Sequence, residues 1–234
     1  MPKLSIERVE LAGLTTCIVG PADAKLTAIL MHGFGAPGDD LVGLAPYLDA
    51  PVRFVFPAAP LELGGLYGDS RAWWMLDLAR LERDLASGQP SLRAAEIPDG
   101  LAAARETVLR FVEHTKARFS LADNQVVLGG FSQGSMIALD VALHAPAPPA
   151  GLVLMSTTLL AEPVWGPRFA RLAGTPVLMS HGRADQLLPF TAAETLRDKL
   201  EAAGAQVEWH QFIGGHEIPP MVVEAVGAFL RARS

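Results

Sequence analysis

A glycine-serine motif between an apolar stretch and a helix-like stretch constrains the fold of this chain more than any other feature. The pattern G-x-S-x-G occupies residues 130–134, with Ser132 at its centre. Residues 125–129 before it are mostly apolar, and residues 135–143 after it show a helical pattern. A strand, a sharp turn and a helix in this order form a nucleophile elbow, whose strained backbone exposes the serine hydroxyl. The junction therefore predicts an α/β fold with Ser132 as a nucleophile.

The motif alone is weak, because 22 of the 234 residues are glycine. It gains weight from the rest of the chain, where β-type and helical stretches alternate. The predicted strands are Ser5–Glu10, Thr15–Val19, Thr27–Met31, Arg53–Phe56, Gln125–Gly129, Leu152–Ser156, Val177–Ser180 and Val207–Phe212. The predicted helices are Asp40–Leu48, Pro98–Phe119, Gly134–His144, Ala192–Ala203 and Pro219–Arg233. This order predicts a doubly wound, mostly parallel sheet with helices on both faces.

We expect one domain over residues 1–234, with the first two strands forming a hairpin around Gly13. The stretch Leu78–Ile97 is the least regular part and is rich in charge. We interpret it as an insertion over or beside the active-site face, although a solvated surface excursion fits its composition equally well.

A nucleophilic serine needs a base to accept its proton, and the base needs a carboxylate to orient it. On this type of elbow fold, the acid follows the serine along the chain and the histidine follows the acid. Asp185 follows the predicted strand Val177–Ser180, at the carboxyl end where open α/β sheets build their sites. His216 follows the last predicted strand. The order predicts a triad of Ser132, Asp185 and His216.

Other residues fit this order less well. Asp185 could instead cap a helix, and Asp198 is a competing acid, but Asp198 lies in a predicted helix between charged neighbours. His32 and His181 follow strands yet precede Asp185. The other three lie within predicted helices or a predicted strand. We interpret all five histidines other than His216 as structural, namely His32, His114, His144, His181 and His210.

An oxyanion hole needs two backbone N–H donors. The residue after the nucleophile, Gln133, should supply one, and Phe34 in the loop 32–35 should supply the other. The alternative for this loop is an ordinary glycine-rich turn. A phosphate-binding loop is not indicated, because no Walker lysine follows the glycines.

Charge and composition exclude several classes of function. The net charge is −6 and no dense Lys/Arg run occurs, which argues against nucleic-acid binding. The N-terminus lacks a signal-peptide pattern and no run of about 18 apolar residues occurs, so we expect a cytoplasmic protein without stable membrane insertion. The single cysteine, Cys17, is interpreted as a buried thiol, and we expect neither a metal site nor a cofactor. The expected partner is a small-molecule ester or acyl substrate, and we allow for a homodimer.

Together these residues resemble the phospholipase/carboxylesterase family of α/β-hydrolases, which includes acyl-protein thioesterases and small carboxylesterases. The matching blocks are Leu30–Gly35, Ser70–Trp74, Gly129–Ser135, His181–Pro189 and Gly215–Ile218. The resemblance implies an α/β-hydrolase fold, the same triad, and oxyanion donors at Phe34 and Gln133. It also implies that Trp73 lies near the acyl group. Leu188, beside the acid, is expected to line the same apolar pocket.

The expected function is hydrolysis of carboxylic esters or thioesters by a serine esterase or lysophospholipase-type enzyme. A dienelactone hydrolase-like or peptidase-like enzyme on the same fold is the first alternative, because fold does not fix the reaction. A binding protein on a non-catalytic hydrolase scaffold is the second.

Overall fold

The computed structural model describes residues 5–64, 68–77, 79–80, 83 and 94–234. Ten strands lie within this part of the chain: β1 Ile6–Leu11, β2 Leu14–Val19, β3 Thr27–Met31, β4 Arg53–Pro57, β5 Leu61–Glu62, β6 Arg71–Ala72, β7 Val126–Phe131, β8 Gly151–Met155, β9 Pro176–Gly182 and β10 Gln206–Phe212. Most of the predicted insertion, namely residues 78, 81–82 and 84–93, lies outside the described residues.

Eight of the described strands form one sheet, in the order β1-β2-β4-β3-β7-β8-β9-β10. The pairs β1–β2 and β2–β4 are antiparallel, and every other pair in this sheet is parallel. The predicted hairpin is confirmed, because Leu11 pairs with Leu14 across a turn in which Gly13 has a φ of 82°. The remaining two strands, β5 and β6, pair with each other.

The helices of the described residues are α1 Ala45–Leu48, α2 Leu101–Phe119, α3 Gln133–His144, α4 Glu162–Trp165, α5 Phe190–Ala202 and α6 Pro220–Arg231. The predicted helix Asp40–Leu48 is a 3₁₀ segment, Asp40–Leu44, that continues into the single turn of α1. The short helix α4 and the 3₁₀ segment Gly166–Leu172 were not predicted. Both are too short to produce a helical period in the sequence.

Apolar residues on the two faces of the sheet belong to two separate core clusters. Along β3, Ile29 packs with α2 and α3, whereas Ala28 and Leu30 pack with α1 and α6. This alternation follows from the two-residue period of a strand. The predicted doubly wound, mostly parallel sheet with helices on both faces is therefore confirmed.

A buried carboxylate fixes the helix that follows the motif. Asp140 on α3 is buried and accepts hydrogen bonds from Arg105 Nε at 2.6 Å and from Trp165 Nε1 at 2.7 Å. Arg105 belongs to α2 and Trp165 to α4, so one carboxylate joins three helices.

We expect Asp140→Ala to lower the free energy of unfolding by about 3–5 kcal/mol, because it leaves a partly buried guanidinium and a buried indole N–H unpaired. The double variant Asp140→Leu with Arg105→Leu should lose less, since both charges are then removed. Urea unfolding measures both. Equal losses in the single and double variants would contradict this account of the helix junction.

Candidate active site

Ser132 lies between β7 and α3 with a φ of 54° and a ψ of −121°, a conformation that side chains rarely adopt. Its N–H donates to Met155 O at 2.9 Å, and its carbonyl accepts the Ser135 hydroxyl at 2.6 Å. A Cβ at Gly130 or Gly134 would overlap the backbone carbonyl of Met31. Glycine is therefore required on both sides of the serine, because β3 passes directly beside this turn.

Asp185 and His216 form a hydrogen-bonded pair. Asp185 Oδ2 lies 2.7 Å from His216 Nδ1, and Asp185 Oδ1 accepts the N–H groups of Leu187 and Leu188, each at 2.9 Å. Burial alone would raise the pKa of Asp185, but the hydrogen bonds from His216 and Leu188 outweigh burial and hold the pKa below its usual value. The ionised carboxylate accepts the Nδ1 proton, which leaves His216 Nε2 as a proton acceptor.

The two residues lie at the same edge of the sheet as the serine. Asp185 follows β9 and His216 follows β10, as Ser132 follows β7. The Phe131 and His216 rings are 4.8 Å apart, and Ser132 and His216 line one cavity. The competing acid, Asp198, is exposed on α5 and pairs with Arg197 at 2.6 Å. The structure brings Asp185, and not Asp198, to the histidine.

The loop 32–35 passes against the nucleophile. A Cβ at Gly33 would lie 3.3 Å from Ser132 Cβ, and Phe34 and Gln133 both line the cavity beside Ser132. Gln133 is the first residue of α3, where backbone N–H groups are free of helical partners and the positive end of the helix dipole favours negative charge. The two predicted donors therefore lie at the same cavity as the serine.

The His32 side chain ties the loop 32–35 to Ala59 by hydrogen bonds. Its Nε2 accepts the Ala59 N–H at 3.0 Å, so the proton must be on Nδ1, which donates to Gly33 O at 2.8 Å. Burial lowers the pKa of His32 and favours this neutral form. The structural role predicted for His32 is thus a contact with the predicted oxyanion loop.

The side chain of Gln133 makes a contact that the sequence did not indicate. Its Oε1 accepts the Trp73 N–H at 2.9 Å, and its Nε2 donates to Trp74 O at 2.9 Å. The Trp73 indole N–H donates to His32 O at 2.9 Å. Trp73 and the Gln133 side chain therefore join the start of α3 to the loop 32–35.

The cavity has a volume of about 450 Å³ and is bordered mainly by apolar side chains. The larger of these are Phe34, Trp74, Met75, Leu76, Ile97, Phe131, Met136, Leu160, Leu187 and Leu188. Leu188 is among them, as expected. Trp73 is not, which differs from the expectation; its neighbour Trp74 takes that position, while the Trp73 side chain packs under the loop 32–35.

Five charged residues, each exposed or half-buried, also border the cavity, and we call this set the mouth. The mouth consists of Asp40, Asp77, Arg80, Glu96 and Asp99. This set contains four carboxylates and one cation, Arg80, which pairs with Glu96 at 2.8 Å. Arg80, Glu96 and Ile97 belong to the predicted insertion, so part of this insertion borders the cavity.

The described residues contain neither a metal-binding cluster nor a membrane-spanning helix. Over 5–64, 68–77, 79–80, 83 and 94–234, no group of three His, Cys, Asp or Glu side chains is arranged to hold a metal ion. No helix in that same part of the chain is long and apolar enough to span a bilayer.

Known structures resemble this fold over nearly all of its length. Esterase PE8 superposes with a TM-score of 0.75, at 28% identity over 99% of this chain and 100% of its own. The Bacillus cereus carboxylesterase superposes with a TM-score of 0.74, at 21% identity over 94% and 95%. The second of these is too distant to support more than the shared α/β-hydrolase fold.

Sequence comparison identifies the family. Acyl-protein thioesterase 1 from Gibberella zeae is 27% identical over 94% of this chain and 96% of its own length. The protein of the same name from Neurospora crassa is 28% identical over 91% and 89%. The model of the phospholipase/carboxylesterase family matches residues 15–234. The chain therefore belongs to the phospholipase/carboxylesterase family, whose esterases and thioesterases use the α/β-hydrolase fold.

Proposed function

We propose that this protein is a serine hydrolase that cleaves carboxylic esters or thioesters through an acyl-enzyme intermediate. The observation that carries the proposal is the Asp185–His216 hydrogen bond of 2.7 Å beside a cavity that also contains Ser132 in its strained turn. In the proposed triad, Ser132 is the nucleophile, His216 the base and Asp185 the residue that orients the base.

The proposed reaction has two halves. His216 Nε2 takes the Ser132 hydroxyl proton while Oγ bonds to the substrate carbonyl carbon. The carbonyl oxygen becomes an oxyanion, for which the N–H groups of Phe34 and Gln133 are the proposed donors. The intermediate collapses, the bond to the alcohol or thiol breaks, and that leaving group takes the proton from His216. Water then attacks the acyl-enzyme by the same route and releases the acid.

The lining of the cavity favours a substrate whose acyl group is apolar and carries no charge. Apolar residues border most of it, including Trp74, Leu160 and Leu188. The carboxylates of the mouth repel an anionic leaving group. The name of the two fungal relatives, acyl-protein thioesterase 1, supports including thioesters of proteins or peptides among the substrates.

The test is a panel of compounds that share one acyl group: a p-nitrophenyl ester, an uncharged S-acyl peptide and the acyl-CoA. We expect turnover of the first two, with kcat/KM for the peptide exceeding that for the strongly anionic acyl-CoA by about tenfold or more at low salt. Added salt should reduce that ratio, since it screens exposed charges. No turnover by the parent protein on any member would favour the binding scaffold instead.

Acyl-chain selection provides a second test, for which neighbouring tryptophans offer a matched pair. Each added methylene in an apolar cavity should raise kcat/KM by up to about fourfold, from ~0.8 kcal/mol, until the cavity is full. Trp74→Phe should move the optimum to longer chains, because Trp74 borders the cavity. Trp73→Phe should lower kcat without moving the optimum, because it removes the indole bond to His32 O.

Rates over a series of p-nitrophenyl esters of increasing acyl length measure both effects. An unmoved optimum in Trp74→Phe would exclude this cavity as the acyl site, and the proposed role of Leu188 would be lost with it.

A further inference from the structure

A second histidine lies against the catalytic acid of the proposed triad. His181, near the end of β9, is fully buried. Its Nε2 lies 2.9 Å from Leu188 O and 3.3 Å from Asp185 Oδ2. The first distance is a hydrogen bond, and the second is a close electrostatic contact with the oxygen that also accepts from His216. His181 therefore touches both ends of the segment 185–188.

The surroundings of the ring determine where its proton is. Leu188 O and an ionised Asp185 Oδ2 can only accept hydrogen bonds, so Nε2 must be the donor. A proton on Nδ1 instead would bury an N–H that has no partner among the described residues. Burial lowers the pKa of His181 and keeps the ring neutral. His181 is thus a neutral ring whose Nε2–H is donated to Leu188 O and lies close to Asp185 Oδ2.

We propose that His181 is a positioning residue of this active site: its Nε2–H holds Leu188 O by a hydrogen bond and acts electrostatically on Asp185 Oδ2, and it thereby sets how strongly Asp185 acts on His216. The proposal rests on the proposed function, in which His216 is the base. It assigns His181 a role beyond the core packing that its burial alone would suggest.

Two consequences follow for Asp185. Its Oδ1 accepts the Leu188 N–H while His181 holds the carbonyl of the same residue, so Leu188 is fixed on both sides of its backbone. The positive end of the Nε2–H bond also partly offsets the negative charge of Oδ2, the oxygen that stabilises a protonated His216. Loss of this N–H should loosen the segment and increase the charge that acts on His216.

The other groups around His181 are few in the described part of the chain. Asp185 and His216 are the ionisable groups that act on its charge. The Phe190 ring packs edge-on at 6.0 Å, and the Arg183 guanidinium lies 5.1 Å from that ring's centre. Glu217 follows His216 and accepts the Gly215 N–H.

The experiment compares His181→Leu with His181→Gln. Leucine fills the space without a donor, whereas the glutamine amide can place an N–H near the position of Nε2. His144→Leu is the matched control, because His144 is a partly buried histidine at the far end of α3 that also contacts a carboxylate, Asp140, at 3.7 Å. Thermal unfolding of all three identifies any variant that fails to fold.

We expect His181→Leu to lower kcat by about 10²-fold, as a misplaced catalytic group does. The acid limb of its kcat/KM profile should move to higher pH, because a protonated His216 is stabilised and the base must be neutral to act. His181→Gln should restore most of kcat and the parental limb. The low-field proton resonance of the His216 Nδ1–H should change in His181→Leu, return in His181→Gln, and be unaffected in His144→Leu.

An acid limb and a proton resonance that stay parental in His181→Leu would overturn the proposal, whatever happens to stability. The proposal would also be overturned if kcat and the acid limb of His181→Gln were no closer to the parental values than those of His181→Leu. Failure of the proposed function is a separate result, because it would appear as a parent protein without ester turnover. The proton resonance of the Asp185–His216 pair can be read even in that case.

Discussion

Ser132→Ala should lower kcat for ester hydrolysis by roughly 10⁴–10⁶-fold, which with His216→Ala is the largest effect expected of a single substitution in this chain. The expectation follows from the geometry of the turn. Ser132 has a φ of 54° and lines the same cavity as His216. Alanine retains the fold of the turn but leaves no oxygen to attack the carbonyl. His216→Ala should cost a similar factor, because the nucleophile and the base of a serine triad act as a unit.

A fluorophosphonate probe tests the nucleophile independently of any substrate. We expect one adduct, located by mass spectrometry on the peptide that contains Ser132, and none in Ser132→Ala. Ser135→Ala is the matched control: its buried hydroxyl is in the first turn of α3 and donates to Ser132 O, but it should keep the label. Labelling that persists in Ser132→Ala would remove Ser132 as the nucleophile.

Asp185→Asn should lower kcat by about 10⁴-fold, as the corresponding change does in other serine triads. The hydrogen bonds explain why an amide cannot replace this acid. Oδ1 accepts two backbone N–H groups, from Leu187 and Leu188, so the amide oxygen must occupy that position. The NH₂ group then faces His216 Nδ1, which has to accept instead of donate. The proton moves to Nε2, and His216 can no longer take a proton from Ser132.

Asp198→Asn is the matched control for this prediction, because Asp198 is exposed and pairs with the adjacent Arg197. We expect near-parental kcat in that variant. Steady-state kinetics on one p-nitrophenyl ester is sufficient for both proteins. Parental kcat in Asp185→Asn together with a large loss in Asp198→Asn would show that Asp198, and not Asp185, is the acid.

The elements that carry the site could be predicted from sequence because their signals are local. β3 has the predicted bounds, Thr27–Met31, since every residue in it is buried and apolar runs of that length indicate a strand covered on both faces. The glycines of the elbow are also a local signal, since they flank a serine between a strand and a helix. The strands Leu61–Glu62 and Arg71–Ala72 gave no signal, because two residues are too few to show a period.

The sequence by itself determined the fold class and the elbow, because alternating β-type and helical stretches and the glycines around Ser132 are patterns that can be recognised locally along the chain. The order of Ser132, Asp185 and His216 is likewise a property of the chain itself. Only the tertiary structure decided which tryptophan borders the cavity, that the Gln133 side chain joins residues 73–74 to α3, and that His181 touches Asp185. These contacts depend on how loops from different strands meet at one edge of the sheet. No periodicity or spacing along the chain encodes the distance between two such loops, since side-chain packing across the whole core sets that distance.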